Sequence, residues 1–139
     1  MQVTRARPSD RDGRSAVRHA ILVVEDDPTL RTLFAHVLDD QGHDVRTAVH
    51  GQAGLDVLAG WRPDLILLDM LMPVMDGRTF RAAQLANPSW RDIPVVVISA
   101  TSEFLTEDET LGAMAILGKP FDFEELLALV ETWALRRIE

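Results

Sequence analysis

The chain has 139 residues, of which 47% are hydrophobic and 26% are charged, and it carries a net charge of −8. This length and composition predict one globular domain, and the lack of cysteine excludes disulfide and thiolate chemistry. No apolar stretch reaches the roughly 20 residues of a membrane span and no N-terminal apolar core resembles a signal peptide, so we expect a cytoplasmic protein without a membrane partner.

Charge is divided unevenly between the start of the chain and the rest. Residues 1–19 hold five arginines and two aspartates, whereas residues 20–139 hold nine basic and twenty acidic side chains. The first segment lacks aromatic residues and periodicity, which favours a disordered basic leader over a binding tail. The acidic remainder argues against direct nucleic-acid binding, which needs clustered lysine and arginine. We therefore expect a leader over 1–19 and one domain over 20–139.

From residue 20 onwards, apolar runs that predict buried strands alternate with amphipathic patterns that predict helices. Strands are predicted over 20–24, 44–48, 64–69, 94–99 and 114–117. Helices are predicted from Pro28 to Gln41-Gly42, over 51–60, from Gly77 to Asn87-Pro88, over 101–112, and from Asp122 to the C-terminal arginines. Asp27 is expected to cap the first helix, and Asp122 with Glu125 forms a capping box at the last. Five β–α units with strands buried on both faces predict an α/β fold, a parallel sheet covered by helices on two sides.

Apolar residues at helical spacing indicate which face of each predicted helix packs on the sheet. These residues are Leu30, Leu33, Phe34, Val37 and Leu38 in the first helix, Phe80, Ala83 and Leu85 in the third, and Phe123, Leu126, Leu127, Val130 and Ala134 in the last. Leu129 and Trp133 lie off the last of these faces. This pair either forms a surface for a partner or packs at the edge of the core, and the sequence favours neither alternative.

Polar side chains follow four of the predicted strands at their carboxyl ends, where open parallel sheets place their ligands. Glu25 and Asp26 come after the first strand, Asp69 ends the third, Ser99 ends the fourth and Lys119 follows the fifth. Carboxylates that converge at one edge repel one another unless a cation intervenes. A hard divalent ion with oxygen ligands, Mg²⁺ in a cell, would relieve that repulsion.

Lys119 is the single lysine of the chain, against thirteen arginines. Its compact ammonium suits a point contact to a phosphoryl oxygen or an ion pair with Asp69. Ser99 can donate a hydrogen bond to the same phosphoryl oxygen. The set predicts a phosphoryl site in which Asp69 is the nucleophile, while the metal and Lys119 neutralise charge.

These residues resemble the receiver domain of bacterial two-component response regulators. The matching runs are 21–27, 67–77, 93–100 and 119–121, within residues 20–137. The resemblance implies a three-layer (βα)5 fold of the flavodoxin-like type, a doubly wound parallel sheet with strand order 2-1-3-4-5. It also implies phosphorylation of Asp69 by the phosphohistidine of a sensor histidine kinase or a phosphotransfer protein.

The same resemblance implies a role for each residue of the site. Mg²⁺ would be bound by Asp26, Asp69, the backbone carbonyl of Leu71 and, mostly through water, Glu25. Ser99 and Lys119 would contact the phosphoryl group. The last two helices and the fifth strand would form the signalling face, which contacts a downstream target protein or a second copy of the chain in a homodimer.

Three features depart from the usual receiver pattern. Ile116 stands at the switch position, four residues after Gly112, where receivers usually carry tyrosine or phenylalanine, so the usual ring movement is not expected. The segment from Ser99 to Gly112 is short and acidic, which predicts a truncated or mobile helix. Leu71 and Thr101 lack the amide or carboxylate that helps to orient attacking water in fast-hydrolysing receivers.

Three functions are compatible with these observations. The first is a stand-alone receiver, without an output domain, that signals by binding a partner protein. The second is a receiver-like interaction module that works without phosphorylation, which Ile116 favours and the intact phosphoryl site opposes. The third, an aspartyl phosphatase, usually has a second acid two residues after the nucleophile, where this chain has Leu71. We therefore expect a signalling module and not an enzyme.

Overall fold

The computed structural model describes residues 17–99 and 111–135, where strands and helices alternate along the chain. The strands are β1 (Ala20–Val24), β2 (Asp44–Ala48), β3 (Leu65–Asp69), β4 (Val95–Ser99) and β5 (Ala115–Gly118). The helices are α1 (Pro28–Asp40), α2 (Gly51–Leu58), α3 (Gly77–Ala86) and α4 (Phe123–Trp133). All five predicted strands are present, and no bound differs from its prediction by more than one residue. Most of the predicted leader and of the predicted helix over 101–112 lies outside the described residues.

The five strands form one parallel sheet with the order β2-β1-β3-β4-β5. β1 pairs with β2 and β3, and β4 joins β3 to β5, all in the same direction. This result confirms the flavodoxin-like strand order and the α/β architecture. Because all strands run the same way, their carboxyl ends at Val24, Asp69, Ser99 and Gly118 meet at one edge of the sheet.

Helices cover both faces of the sheet. Successive side chains of a strand point to opposite faces, so an apolar strand needs apolar packing on both sides. Ile21 and Val23 of β1 pack in one core cluster with residues of α1 and α4. Leu22 and Val24 pack in a second cluster with residues of α2 and α3. Every residue of β1, β3 and β4 is buried, as expected for central strands that helices cover on both faces. No helix of the described residues combines the length and apolar character needed to cross a bilayer.

A side chain caps the start of each described helix by accepting a hydrogen bond from a backbone N–H group of the first turn. The acceptors are Asp27 in α1, His50 in α2, Asp76 in α3 and Asp122 in α4. Such a cap contributes about 1 kcal/mol to stability. The predicted caps at Asp27 and Asp122 are confirmed. The cap at His50 was not predicted, because histidine is not among the preferred residues at this position.

The apolar face of α1 is narrower than predicted, whereas that of α4 also includes a residue that was predicted to lie off it. In α1 the side chain of Leu33 is exposed, while Phe34 and Leu38 are buried as predicted. The helix contacts mainly β2 and β1, at one side of the sheet, so only a narrow stripe of it is covered. In α4, Leu129 packs against the core, which agrees with edge packing. Trp133 is partly exposed, so edge packing does not explain this residue.

The predicted face of α3 is wrong for Leu85, which is exposed. Phe80 is buried as predicted, and the helix also buries Gly77, Arg81 and Gln84; the four residues follow the spacing i, i+3, i+4 and i+7. Two of these four residues are polar, so a search for apolar residues cannot identify the face. The helix also begins in contact with the end of β3, and this tertiary contact sets its rotation.

Two buried histidines lie at the edge of the sheet opposite the carboxyl ends of the strands. His19 precedes β1 and His43 precedes β2, and their rings stack with centroids 5.4 Å apart. Nδ1 of His43 accepts a hydrogen bond from the backbone N–H of His19 at 3.0 Å, and a carboxylate oxygen of Glu131 in α4 lies 3.9 Å from Nε2. Burial first, and the neighbouring His19 second, lower the pKa of His43 to about 4. His43 is therefore neutral at pH 7.

We predict that His43 makes the free energy of unfolding decrease on acidification. The unfolded chain binds a proton at His43 near pH 6.5, but the folded domain resists this until about pH 4. His43 therefore contributes about 3 kcal/mol to the free energy of unfolding above pH 6.5. This contribution is lost as the pH falls from 6.5 to about 4. His43→Asn keeps an acceptor near the position of Nδ1 and should remove this pH dependence, as measured by urea unfolding at neutral and acidic pH.

The control for this measurement is His36→Asn, because His36 lies exposed on α1. This variant should show the same change of stability with pH as the unmodified protein. Equal acid sensitivity in the His43→Asn protein would contradict the prediction.

Candidate functional site

Three carboxylates converge at the carboxyl edge of the sheet. Glu25 and Asp26 directly follow β1, and Asp69 is the last residue of β3. Because β1 and β3 are neighbours in the sheet, the three residues offer oxygen atoms that lie within 4.8 Å of one another. The structure therefore brings together the three acidic side chains that were predicted as metal ligands.

Burial makes this cluster unfavourable when all three carboxylates are ionised. Glu25 is fully buried, Asp69 is nearly so, and Asp26 is partly exposed. The pKa of Asp69 is raised from 3.8 to about 8, first by burial and then by the hydrogen bond and charge of Glu25, while Lys119 acts in the opposite direction. At pH 7 the metal-free site therefore holds a proton that a carboxyl group in water would release.

The donor atoms of this cluster fit a hard divalent cation. All three side chains offer carboxylate oxygens, the ligand type that Mg²⁺ prefers. Oε1 of Glu25 is buried and accepts no hydrogen bond from the described residues, although Nζ of Lys119 lies 3.4 Å away. A cation at this place would relieve the repulsion and satisfy the buried acceptor.

Lys119 reaches the carboxylates from the other side of β3. Its Nζ lies 3.8 Å from Oδ1 of Asp69, so the ion pair, one of the two predicted alternatives for this lysine, is present. The shorter distance, 3.4 Å, is to Oε1 of Glu25. Glu25, which was expected to act mostly through water, thus pairs directly with the lysine as well.

Ser99 ends β4 next to this lysine. In the ladder between β4 and β5, Ser99 lies beside Gly118, and its carbonyl accepts the N–H of Lys119 at 2.9 Å. Ser99 is buried, at the same edge of the sheet as Asp69. That its hydroxyl contacts a phosphoryl group stays a prediction.

Leu71 and Ile116 lie where the prediction places them, but their roles are not tested. The N–H of Leu71 donates to Oδ1 of Asp69 at 3.3 Å, and the Leu71 residue is 68% exposed. Ile116 lies within β5 beside Val97 and is 36% exposed. Metal binding by the Leu71 carbonyl and a switch role of position 116 stay predictions, and Thr101 lies outside the described residues.

Arg31 of α1 belongs to the site but was not predicted. Its Nη1 donates to the carbonyl oxygens of Glu25 at 3.0 Å and Asp26 at 3.2 Å. These bonds fix the backbone of the loop that carries two of the three carboxylates. The sequence indicates this contact only through the position of Arg31. It lies one helical turn after the cap residue Asp27, where a side chain can reach back towards the loop.

The loop that follows Asp69 is held in a strained turn. Val74 has a φ of 67°, and the N–H of Met75 donates to the carbonyl of Pro73 at 2.7 Å, which closes a three-residue turn. A positive φ is unfavourable for a β-branched residue. Gly51 of α2 donates its N–H to the Met75 carbonyl at 3.2 Å, and a Cβ at Gly51 would lie only 2.8 Å from that oxygen. The loop is therefore fixed beside the carboxylates by the start of α2.

The sequence matches known proteins over most of its length. The sequence model of the response regulator receiver domain matches residues 21–131. The chain is 36% identical over 121 residues to the DNA-binding dual master transcriptional regulator RpaA of Synechocystis sp., across 86% of this chain and 50% of RpaA. It is 33% identical over 116 residues to sporulation initiation phosphotransferase F of Bacillus subtilis, across 81% of this chain and 91% of that protein. The chain thus spans about half the length of RpaA.

A solved structure shows the same fold. The receiver domain of the sensor histidine kinase PA1611 from Pseudomonas aeruginosa PAO1 aligns with a TM-score of 0.77 and 28% identity, over 84% of this chain and 98% of that one. In that crystal structure a magnesium ion is coordinated in the active-site cleft. From the strand order, the carboxylate cluster and these matches, we conclude that the chain belongs to the response regulator receiver domain family.

Proposed function

We propose that Asp69 accepts a phosphoryl group from the phosphohistidine of a sensor histidine kinase or a phosphotransfer protein, in a reaction that depends on Mg²⁺. The observation that carries this proposal is the convergence of Glu25, Asp26 and Asp69 with Lys119 at one edge of the sheet. Buried carboxylates that repel one another destabilise a fold. Their presence together at the expected ligand position of an open α/β sheet supports a functional role.

Asp69 has the position of a nucleophile. As one of its carboxylate oxygens forms a bond to phosphorus, the phosphorus–nitrogen bond of the donor histidine breaks and the nitrogen leaves. The attacking group is the ionised carboxylate, whereas burial and Glu25 raise the pKa of Asp69 to about 8. Mg²⁺ held by Glu25, Asp26 and Asp69 would supply the positive charge that favours the ionised form and neutralises phosphoryl oxygens.

Lys119 and Ser99 have the chemistry to stabilise the product. Nζ of Lys119 lies 3.8 Å from Oδ1 of Asp69, within reach of an oxygen of a phosphoryl group bound to that residue. The ammonium would contribute a charge-assisted hydrogen bond. The hydroxyl of Ser99, at the end of the adjacent strand, would donate a second one. Arg31 acts indirectly, because it holds the backbone of Glu25 and Asp26.

We propose that the output is contact with a downstream protein through the surface of α4 and β5. Met114 and Ile116 at β5 and Trp133 in α4 are exposed apolar residues, which suits a protein partner or a second copy of the chain in a homodimer. RpaA is named as a DNA-binding regulator, but it is about twice as long as the region matched here. The acidic charge of residues 20–139 opposes nucleic-acid contact by this domain itself.

A receiver-like interaction module that works without phosphorylation is the second candidate. The exposed Ile116 favours it, because an aliphatic side chain offers neither the ring nor the hydroxyl that receivers usually carry at this position. Phosphorylation by a small-molecule donor distinguishes the two functions.

We predict that Asp69 is the only phosphorylation site. Incubation with acetyl phosphate and Mg²⁺ should add one phosphoryl group to the protein, as seen by intact-protein mass spectrometry, and Asp69→Asn should add none. Asp76→Asn is the matched control, because Asp76 is an exposed helix cap outside the carboxylate cluster. Full labelling of the Asp69→Asn protein would refute the assignment, and an unlabelled native protein would favour the interaction module.

We predict that Mg²⁺ stabilises the fold more at pH 8 than at pH 5. In the unfolded chain Asp69 ionises near pH 3.8, but in the metal-free folded domain it does so only near pH 8. Its contribution to stability is therefore complete below about pH 4 and is lost as the pH rises towards 8. Mg²⁺ at a hundredfold excess over its dissociation constant should add about 2.7 kcal/mol. Thermal melts with Mg²⁺ and with a chelator measure this gain at each pH.

Asp69→Asn is the control for this measurement, since it removes both the titrating group and one ligand. Its melts should show a smaller effect of Mg²⁺ and no such pH dependence. If the melting temperatures of the unmodified protein with Mg²⁺ and with chelator are equal, the proposal that these residues bind Mg²⁺ is refuted.

We predict that the acyl phosphate on Asp69 is long-lived. Hydrolysis needs a water molecule held in line with the phosphorus, and neither Leu71 nor Thr101 has a carboxylate or amide to hold it. Leu71 lies beside Asp69 and is exposed, but its side chain has no polar group that could bind this water. Leu71→Asn and Thr101→Glu should each shorten the lifetime of the phosphate. Unchanged decay in the double variant would refute this prediction.

A further inference from the structure

Two polar side chains of α3 are buried against the sheet, away from the carboxylates. Arg81 is 4% exposed and Gln84 is fully buried, on the face that also contains Gly77 and Phe80. Arginine and glutamine are mostly exposed in proteins, so burial of both on one face needs an explanation.

Arg81 binds the segment that leads into β5. Its Nε donates to the carbonyl oxygen of Leu111 at 3.2 Å, and its Nη2 donates to that of Gly112 at 3.4 Å. Its Nη1 donates to Oε1 of Gln84 at 2.8 Å. Leu111 and Gly112 have φ values of 52° and 75°, so this short segment has an unusual backbone conformation where it meets the guanidinium.

Gln84 extends this network to the segment that leads into β4. Its Nε2 donates to the carbonyl oxygens of Trp90 and Ile93, both at 2.9 Å. Two adjacent side chains of α3 therefore bind the backbone at the entry of β4 and at the entry of β5. The helix is thus fixed by specific hydrogen bonds to the segments that lead into two strands, in addition to its apolar packing.

The arrangement is electrostatically unfavourable for Arg81. Its partners among the described residues are neutral oxygens, without a carboxylate, and burial lowers the pKa of the guanidinium. A buried charge without an opposite charge is costly, and apolar residues of similar size often stabilise a core as well or better. The described contacts of Arg81 therefore hold backbone carbonyls in place and do not pair its charge.

The other end of α3 lies against Asp69. The N–H of Gly77 donates to the carbonyl of Met70 at 3.1 Å. A Cβ at Gly77 would lie 2.6 Å from the carbonyl oxygen of Asp69, so the helix start is in direct contact with the backbone of that residue. One helical turn separates Gly77 from Arg81. The helix therefore connects the end of β3 with the entry of β5 through contacts that leave little room for movement.

Within residues 17–99 and 111–135, few other contacts hold the entry of β5. β5 has four residues and lies at the edge of the sheet, so it forms a ladder with β4 alone. Before the strand starts, the N–H of Met114 donates to the carbonyl of Val95 at 2.8 Å. After it ends, Lys119 reaches the carboxylates. The position of β5 thus affects both Lys119 and the exposed side chains of Met114 and Ile116.

We propose that Arg81 is a positioning residue that holds the entry of β5 and couples it, through α3, to the backbone of Asp69. The coupling to phosphorylation rests on the proposed function of Asp69, whereas the positioning of β5 does not. A shift of Asp69 on phosphorylation passes to Gly77, along the rigid helix to Arg81, and from there to Leu111 and Gly112. This route does not need an aromatic side chain at position 116.

The experiment compares Arg81→Met with the unmodified protein by amide hydrogen exchange. Methionine keeps an unbranched apolar stem like that of arginine but removes the three hydrogen bonds of Arg81. Exchange at the Met114 amide should become at least about tenfold faster, the factor expected for the loss of one hydrogen bond to a charged group. Arg81→Lys keeps the charge without the forked geometry, so its exchange should be intermediate. Arg78→Met is the control, because Arg78 lies on the exposed face of the same helix.

The second part adds Mg²⁺ and beryllofluoride, which mimics a phosphoryl group on a carboxylate. Fluorine NMR reports whether beryllofluoride binds, and exchange at Met114 reports the response of β5. Binding should slow exchange at Met114 in the unmodified protein and in Arg78→Met. In Arg81→Met, beryllofluoride should still bind but should leave exchange at Met114 unchanged.

Each outcome decides one part of the proposal. Equal exchange at Met114 in Arg81→Met and in the unmodified protein overturns the positioning role. A full response to bound beryllofluoride in Arg81→Met overturns the coupling. If beryllofluoride does not bind the unmodified protein, the proposed function of Asp69 fails and the coupling fails with it, while the ligand-free comparison still decides the positioning role. If Arg81→Met does not fold, Arg81→Lys provides the same comparison.

Discussion

The repulsion among carboxylates at one edge of a parallel sheet is the constraint on which the rest of the site depends. Glu25, Asp26 and Asp69 each offer a carboxylate oxygen, and these oxygens lie within 4.8 Å of one another. Two of the three residues are buried. Such a cluster persists only if the surrounding structure holds it in place and supplies positive charge. Lys119 supplies part of that charge from the end of β5, and Arg31 fixes the backbone on the side of β1.

The sheet and most of the site could be predicted because both follow from local sequence patterns. A strand that is buried on both faces must be apolar throughout, so the runs over 20–24, 65–69 and 95–99 are visible without knowledge of the fold. Once the strands are parallel, their last residues must meet. Asp69 and Lys119 are visible as candidate functional residues because each places a charge at the end of an apolar run.

The rotation of the helices could not be predicted in the same way, because tertiary contacts determine it. The contact of Gly77 with the backbone of Asp69 sets which face of α3 meets the sheet, and that face contains Arg81 and Gln84. Polar residues at these positions look like surface residues in the sequence. Arg31 was missed for a similar reason, since its partners are backbone carbonyls that carry no sequence signal.

The two edges of the sheet hold separate clusters of titratable side chains, and β1 connects them. His19 lies before its first residue and Glu25 after its last, a separation of about 20 Å for six steps along a strand. At this distance two unit charges interact by only about 0.8 kcal/mol at an effective dielectric constant of about 20, so protonation at the histidine edge has a small direct effect on the charge at the carboxylate edge. Evolution or design can therefore adjust the acid tolerance of this domain at His43 without retuning the chemistry of Asp69.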